Sequence, residues 1–217
     1  MRKGRARAWQ RGVTGLLYLL AATLVAVSAP HAEPFGERLS RAALERTKQR
    51  VRYDGSYHRL AYPGGDVPAE IGVCTDVVIR AYRELGIDLQ VDVHEEMRAA
   101  FDAFPKHWGL RRPDRNIDHR RVPNLRVLFE RRGKKLATSR NAADYRTGDL
   151  VTWRLAGRLP HIGIVVARRS ADGKRPLIVH NVGAGPKLED VLFEYEMTGH
   201  YRYEGRTVAP ASEPSAD

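Results

Sequence analysis

A chain of 217 residues with 37 Lys and Arg against 26 Asp and Glu carries a formal charge of +11 and a single cysteine. That length suits one domain with a proper core, and a lone cysteine excludes an internal disulfide framework. Aromatic residues make up 8% of the chain and do not interleave with the basic ones, so nucleic acid is not an expected partner.

The N-terminus is a targeting segment by pattern. Arg2, Lys3, Arg5, Arg7 and Arg11 precede a nearly continuous apolar run from Val13 to Val27, and Ser28, Ala29 and Ala32 follow. Basic, apolar and small-residue regions in that order make a secretory signal, with cleavage expected after Ala29 or Ala32. The run is short for a membrane span, so membrane contact is expected only through this segment. The location is expected to be periplasmic or secreted. Without residues 1–32 the chain loses five positive charges and no acids, falling from +11 to +6. Outside the cytoplasm such an excess suits peptidoglycan or another anionic envelope polymer as partner, or serves solubility alone. A monomer is expected.

Residues 33–206 read as a single domain. A helix is expected from Phe35 to Val51, with Leu39, Ala42, Ala43 and Leu44 on a narrow apolar face. Tyr62-Pro63-Gly64-Gly65-Asp66-Val67-Pro68 is a loop. Cys74 to Leu85 is the clearest helix: Val77, Val78, Ala81, Tyr82 and Leu85 recur at helical spacing and Gly86 ends it. Further helices are expected over Val91–Phe104 and Asn124–Arg132, separated by an irregular basic stretch. Asp149–Trp153 alternates as a strand. Ile162–Ala167 and Pro176–His180 form a hairpin about the Asp172-Gly173 turn, and Val191–Tyr195 and Tyr201–Tyr203 complete the sheet. The tail from Thr207, residues 207–217, has the composition of a disordered segment. Helices first and an antiparallel sheet after make an α+β domain.

The chemistry centres on Cys74. It stands where a loop enters a helix, and the positive end of the helix dipole favours thiolate there. A thiol nucleophile needs a base, and the base an orienting partner. His161 at a strand start is the candidate base, and His180 at the end of the return strand the candidate orienter. A two-residue turn at Asp172-Gly173 sets Val165 opposite His180, so both histidines share one face. His161 then lies roughly 13 Å of strand from the partner of His180, so the rings meet only if the strands bend, bulge or shift register. Asn181 points the other way. The alternative for Cys74 is a small buried hydrophobe.

Other chemistries lack their residues. His94-Glu95-Glu96 has no second histidine for a helical zinc motif, so no metal is expected, and no Gly-x-Ser-x-Gly elbow or phosphate-cradling glycine loop occurs. No cofactor is expected.

Over residues 53–183 the chain resembles the NlpC-type, papain-like cell-wall cysteine peptidases, and more closely an uncharacterised bacterial branch of that clan. Tyr62-Pro63-Gly64-Gly65 followed by Gly72-Val73-Cys74 resembles the nucleophile segment. Gly148-Asp149-Leu150-Val151 and His161-Ile162-Gly163-Ile164-Val165 resemble the base-bearing region, and Ile178-Val179-His180 the strand of the third polar residue. The resemblance implies a papain-like fold, with N-terminal helices packed on an antiparallel sheet or partly closed barrel. It also implies a thiol amidase or peptidase with Cys74 as nucleophile, His161 as base, His180 as orienter, and Tyr62 with the Cys74 backbone N–H at the oxyanion site. The chain departs from the family in carrying Val73-Cys74-Thr75 where an Asp-Cys-Ser is usual. Residues 116–124 resemble only the uncharacterised branch. There Arg120 and Arg121 either clamp a substrate carboxylate or belong to a solvated loop in which Asp118 caps a helix. Asp76 either steers a substrate amine or stabilises the first helical turn. Two other functions stay open: a non-catalytic envelope-binding module, and a thiol acyltransferase or esterase acting on a lipid.

Overall fold

The computed structural model describes residues 32–206. The expected signal segment, save its last residue, and the tail from Thr207 lie outside the described residues. The fold is α+β. Helices α1 (Phe35–Arg46), α2 (Cys74–Arg83), α3 (Leu89–Ala99) and α4 (Val122–Arg132) accompany a six-stranded antiparallel sheet. That sheet comprises β3 (Lys134–Leu136), β4 (Leu150–Arg154), β5 (Pro160–Arg169), β6 (Pro176–His180), β7 (Lys187–Glu189) and β8 (Glu196–Arg202), in the order β3-β8-β4-β5-β6-β7. Two short strands, β1 (Arg52–Tyr53) and β2 (Ile71–Gly72), pair in parallel just before α2.

The elements follow from local chemistry. Helix α2 begins where the Asp76 carboxylate accepts the Val73 N–H at 2.6 Å; Val73 itself has no side-chain acceptor, so the cap is one-sided. It ends before Gly86, whose φ of 79° is a left-handed conformation that suits glycine. Helix α3 starts earlier than expected because Asp88 accepts the Gln90 N–H at 2.9 Å. Helix α1 stops at Arg46, short of Val51, in a run of turns.

The sheet is buried on both faces. Ile162, Ile164 and Val166 of β5 join Val77, Val78, Ala81 and Tyr82 of α2 in the main core. On the other face Val151, Trp153, Val165 and Ile178 pack with Leu192. The expected strand at Val191–Tyr195 is a turn. Its apolar residues instead cover the second face, and the Leu192 carbonyl accepts the Trp153 Nε1–H at 3.1 Å. Period-two apolarity therefore reported burial there, not strand pairing.

The hairpin decides the site. Near the turn Arg169 lies opposite Pro176, the register set by Asp172-Gly173. A bulge follows: Val165 pairs with Ile178, so four residue steps on β5 match two on β6. His180 is thereby opposite Gly163 rather than Val165, and two residues closer to His161.

Candidate active site

Three elements converge on Cys74. The pairing of Tyr53 with Gly72 sets the Tyr53 ring beside the start of α2. The Tyr53 hydroxyl faces the Cys74 sulfur and backbone N–H. From the sheet, the Ile162 N–H also faces the sulfur. That N–H is free for a topological reason. The Val165 N–H donates to Asp149 of the β4 side at 2.8 Å. Alternation turns the Ile162 N–H toward β6, and β6 pairing ends at Gly163.

The histidines are in contact. His161 Nε2 lies 2.9 Å from His180 Nδ1, with both rings buried. Glycine at 163 permits this approach: a Cβ there would stand 2.6 Å from Ile178 Cγ2 and 3.1 Å from His180 Cβ. Beyond His180, its Nε2 is 2.8 Å from Glu189 Oε2 on β7, off the line of an aligned hydrogen bond. An ionised Glu189 calls for a proton on His180 Nε2. His180 Nδ1 is then an acceptor, His161 Nε2–H donates to it, and His161 Nδ1 keeps its lone pair. This is the tautomer a base requires. Glu189 was not legible in the sequence, where Lys187-Leu188-Glu189 reads as ordinary surface.

The electrostatics run against a resting thiolate. Burial pushes the Cys74 thiol up to about 11; the Ile162 and Thr75 N–H groups pull the other way and Asp76 adds to the rise. The helix-start position therefore does not produce the expected activated thiol, because desolvation outweighs the dipole. Burial, then the neighbouring His180, pushes His161 down to about 3. Burial also lowers His180, against the pull of Glu189. The thiol is not hydrogen-bonded to an imidazole here: the sulfur faces Ile162 and Tyr53, and His161 Nε2 is engaged by His180. Alternation puts His161 on the Trp153 face of β5, whereas α2 packs on the Ile162 face. Sulfur and ring thus flank the open edge of β5 from its two sides.

The remaining expected site residues are placed differently. Tyr62 is not at the thiol: its hydroxyl donates to Glu95 Oε1 at 3.0 Å and its ring packs edge-on against His94. Tyr53 holds the position expected of it. Asp76 is buried and receives Arg120 Nε at 2.9 Å and Nη2 at 3.0 Å. Two further Arg120 N–H groups bind the Ser56 and Asp54 carbonyls. Four of the five Arg120 N–H groups are thus engaged within the protein, and the side chain ties the 54–56 segment to α2. Asp118 does not cap α4, which Arg121 precedes. It is buried, accepts the Asp114 N–H and Arg121 Nη1, and desolvation pushes its carboxyl up to about 6. Arg120 and Arg121 both line the groove beside Cys74, and the Arg121 guanidinium lies 4.1 Å over the Trp108 ring. Asn181 faces away from His161, its Nδ2 directed at the Gly72 carbonyl 3.5 Å away.

The comparisons place the chain in a family without an assigned activity. Residues 40–203, which include Cys74, His161, His180 and Glu189, match a family described as a domain of unknown function, DUF1287. The chain is also 56% identical over 151 residues to the uncharacterized protein YijF of Escherichia coli (strain K12), covering 70% of this chain and 73% of that protein. With its fold, its buried histidine pair and its thiol set inside the matched span, this chain belongs to the DUF1287 family.

Proposed function

We propose that the protein is an exported cysteine amidase or peptidase of papain-like type that cleaves an amide bond in peptidoglycan through an acyl-enzyme. One observation carries the reading: His161 is aligned by His180 at 2.9 Å while the next residue, Ile162, presents its N–H to the Cys74 sulfur. As the sulfur attacks the scissile carbonyl, His161 Nδ1 takes the thiol proton, in a contact closed by substrate binding. The tetrahedral oxyanion receives the Cys74 N–H and the Tyr53 hydroxyl. The C–N bond breaks and His161 returns the proton to the departing amine. Water, deprotonated by His161, then hydrolyses the thioester and restores the thiol. Export and the envelope substrate rest on the basic and apolar segment at residues 1–32 and on the motif resemblance.

The test is mass spectrometry of purified peptidoglycan fragments after incubation with the protein and with Cys74→Ala. New amine and carboxylate ends from wild type alone support the reading; cleavage that survives Cys74→Ala overturns the mechanism. A second reading, a non-catalytic envelope-binding module, draws on the thiol held at about 11 and not bonded to a base. It requires that wild type leave the fragments intact while binding them.

A further inference from the structure

Two cavities meet at the mouth of the thiol site. One, of about 490 Å³, reaches Cys74, Val73 and Pro160. The other, of about 720 Å³, runs past Arg111, Arg112 and Arg115. Tyr57, Trp108 and Arg121 line both, which makes them one groove. Trp108 and Tyr57 are each 55% exposed, and Tyr53 beside the sulfur is 42% exposed. Large aromatics left open to water side by side mark a surface that something covers.

The groove is also cationic in a particular way. Arg120 is neutralised by Asp76, but Arg111, Arg112 and Arg115 have no carboxylate within ion-pair distance among the described residues. Arg121 has one, Asp118 Oδ1 at 3.2 Å, a carboxyl that burial pushes up to about 6. Asp114, the acid within the strip, is engaged by the Tyr57 hydroxyl at 3.1 Å and the Asn116 N–H at 2.9 Å. The Arg121 guanidinium lies over Trp108 and gives Nη1 to Asp118, which leaves its other N–H groups for an anion.

We propose that Arg111, Arg112, Arg115 and Arg121 form a subsite for the carboxylates of a peptide or glycopeptide substrate, laid along Tyr57 and Trp108 toward Cys74. A bare polyphosphate would meet the same cations but leave the wall of Tyr57, Trp108 and Pro123 facing water, so a carboxylated peptide fits better. The position of the acyl carbon rests on the amidase reading above; the anion subsite itself does not.

The experiment is a binding titration of the full chain carrying Cys74→Ala. The probes are a muropeptide with free stem-peptide carboxylates, the same compound as its carboxamide, and a poly(glycerol phosphate) oligomer. The acid is expected to bind about tenfold or more tighter than the carboxamide, and salt is expected to narrow the gap. The double variant Arg112→Gln/Arg115→Gln, on exposed side chains, is expected to lose most of that preference; Arg121→Gln is expected to act in the same direction. Arg41→Gln, on the exposed face of α1, is expected to change little. Equal affinity for acid and carboxamide, tighter binding of the phosphate oligomer, or an equal loss in Arg41→Gln overturns the proposal. Turnover is not read in this titration, so an inert thiol leaves its outcome intact. Wild-type hydrolysis with a KM unmoved by the double variant would instead sink the subsite and leave the thiol chemistry standing.

Discussion

Two buried histidine clusters sit in the same sheet, and they differ in how completely their polar atoms are satisfied. His200 on β8 has Nδ1 3.1 Å from the Ala137 carbonyl and Nε2 2.7 Å from Asp149 Oδ2. Asp149 also receives Arg202 at 2.7 and 3.0 Å and the Arg146 N–H at 2.9 Å, and the Tyr145 ring stacks on His200. Nothing is left over for a ligand, and such a network holds strands together. In the other cluster His180 Nε2 lacks an aligned partner, and its acid, Glu189, is 41% exposed by side chain. That cluster lies at the open edge of β5, next in sequence to Ile162, whose N–H faces the thiol. The same residue types thus form a fully bonded rivet in one place and, in the other, a pair with unused hydrogen-bonding capacity, the pair proposed to hold the base.

The largest expected effect separates the two. His161→Ala should lower fragment release by at least about 10³-fold with a melting temperature near wild type. His200→Ala should do the reverse, costing about 3 kcal/mol of stability by stripping a partner from buried Asp149, with activity retained in the folded fraction. Thermal melts and mass-spectrometric turnover on both variants check this, and exchanged phenotypes would reverse the assignment. Asp76→Asn extends the contrast to the helix start. It leaves Arg120 buried without its counter-ion, for an expected loss of about 3 kcal/mol in urea unfolding. Unchanged stability with weakened substrate binding would return Asp76 to a recognition role.

Smaller effects sharpen the geometry of the reactive cluster. Gly163→Ala forces a Cβ against Ile178 and His180, with an expected cost of about 1–3 kcal/mol in stability and a lower kcat as His180 is displaced. Wild-type kcat would show that the ring contact is not needed. Tyr53→Phe should lower kcat about tenfold or more with little change in KM, and Tyr62→Phe should leave kcat unchanged. The mildest test concerns the thiol alone. With its pKa raised from 9.0 to about 11, alkylation by iodoacetamide should be slower than for free cysteine at neutral pH and should accelerate toward about pH 11. A raised folded-state value also means stability present below about pH 9 and lost as pH climbs through about 11, a decline that Cys74→Ala should flatten. Fast alkylation at pH 7 would show that the thiol meets its base before substrate arrives.

Legibility followed sequence separation. Helix α2 was readable from Val77, Val78, Ala81 and Tyr82 because its period is local. The hairpin was readable from Asp172-Gly173, and the register next to that turn is the expected one. The two-residue strands β1 and β2 were not, since two residues carry no period; with them went the placement of Tyr53 at the sulfur and of Tyr62 at Glu95. For Arg120 the sequence offered a substrate clamp or a solvated loop, and neither includes its buried pairing with Asp76, 44 positions earlier.

Residue types, their order and their local periods were enough to establish an α+β chain with one cysteine opening a helix and two histidines on one face of a later hairpin. Tertiary structure alone decided that a bulge carries those rings together, that Glu189 stands behind them, and that the thiol is buried enough to stay protonated. The physical reason is that pattern and turn chemistry act over a few residues, whereas desolvation, register shifts and ion-pair choice depend on segments that meet only in the folded chain.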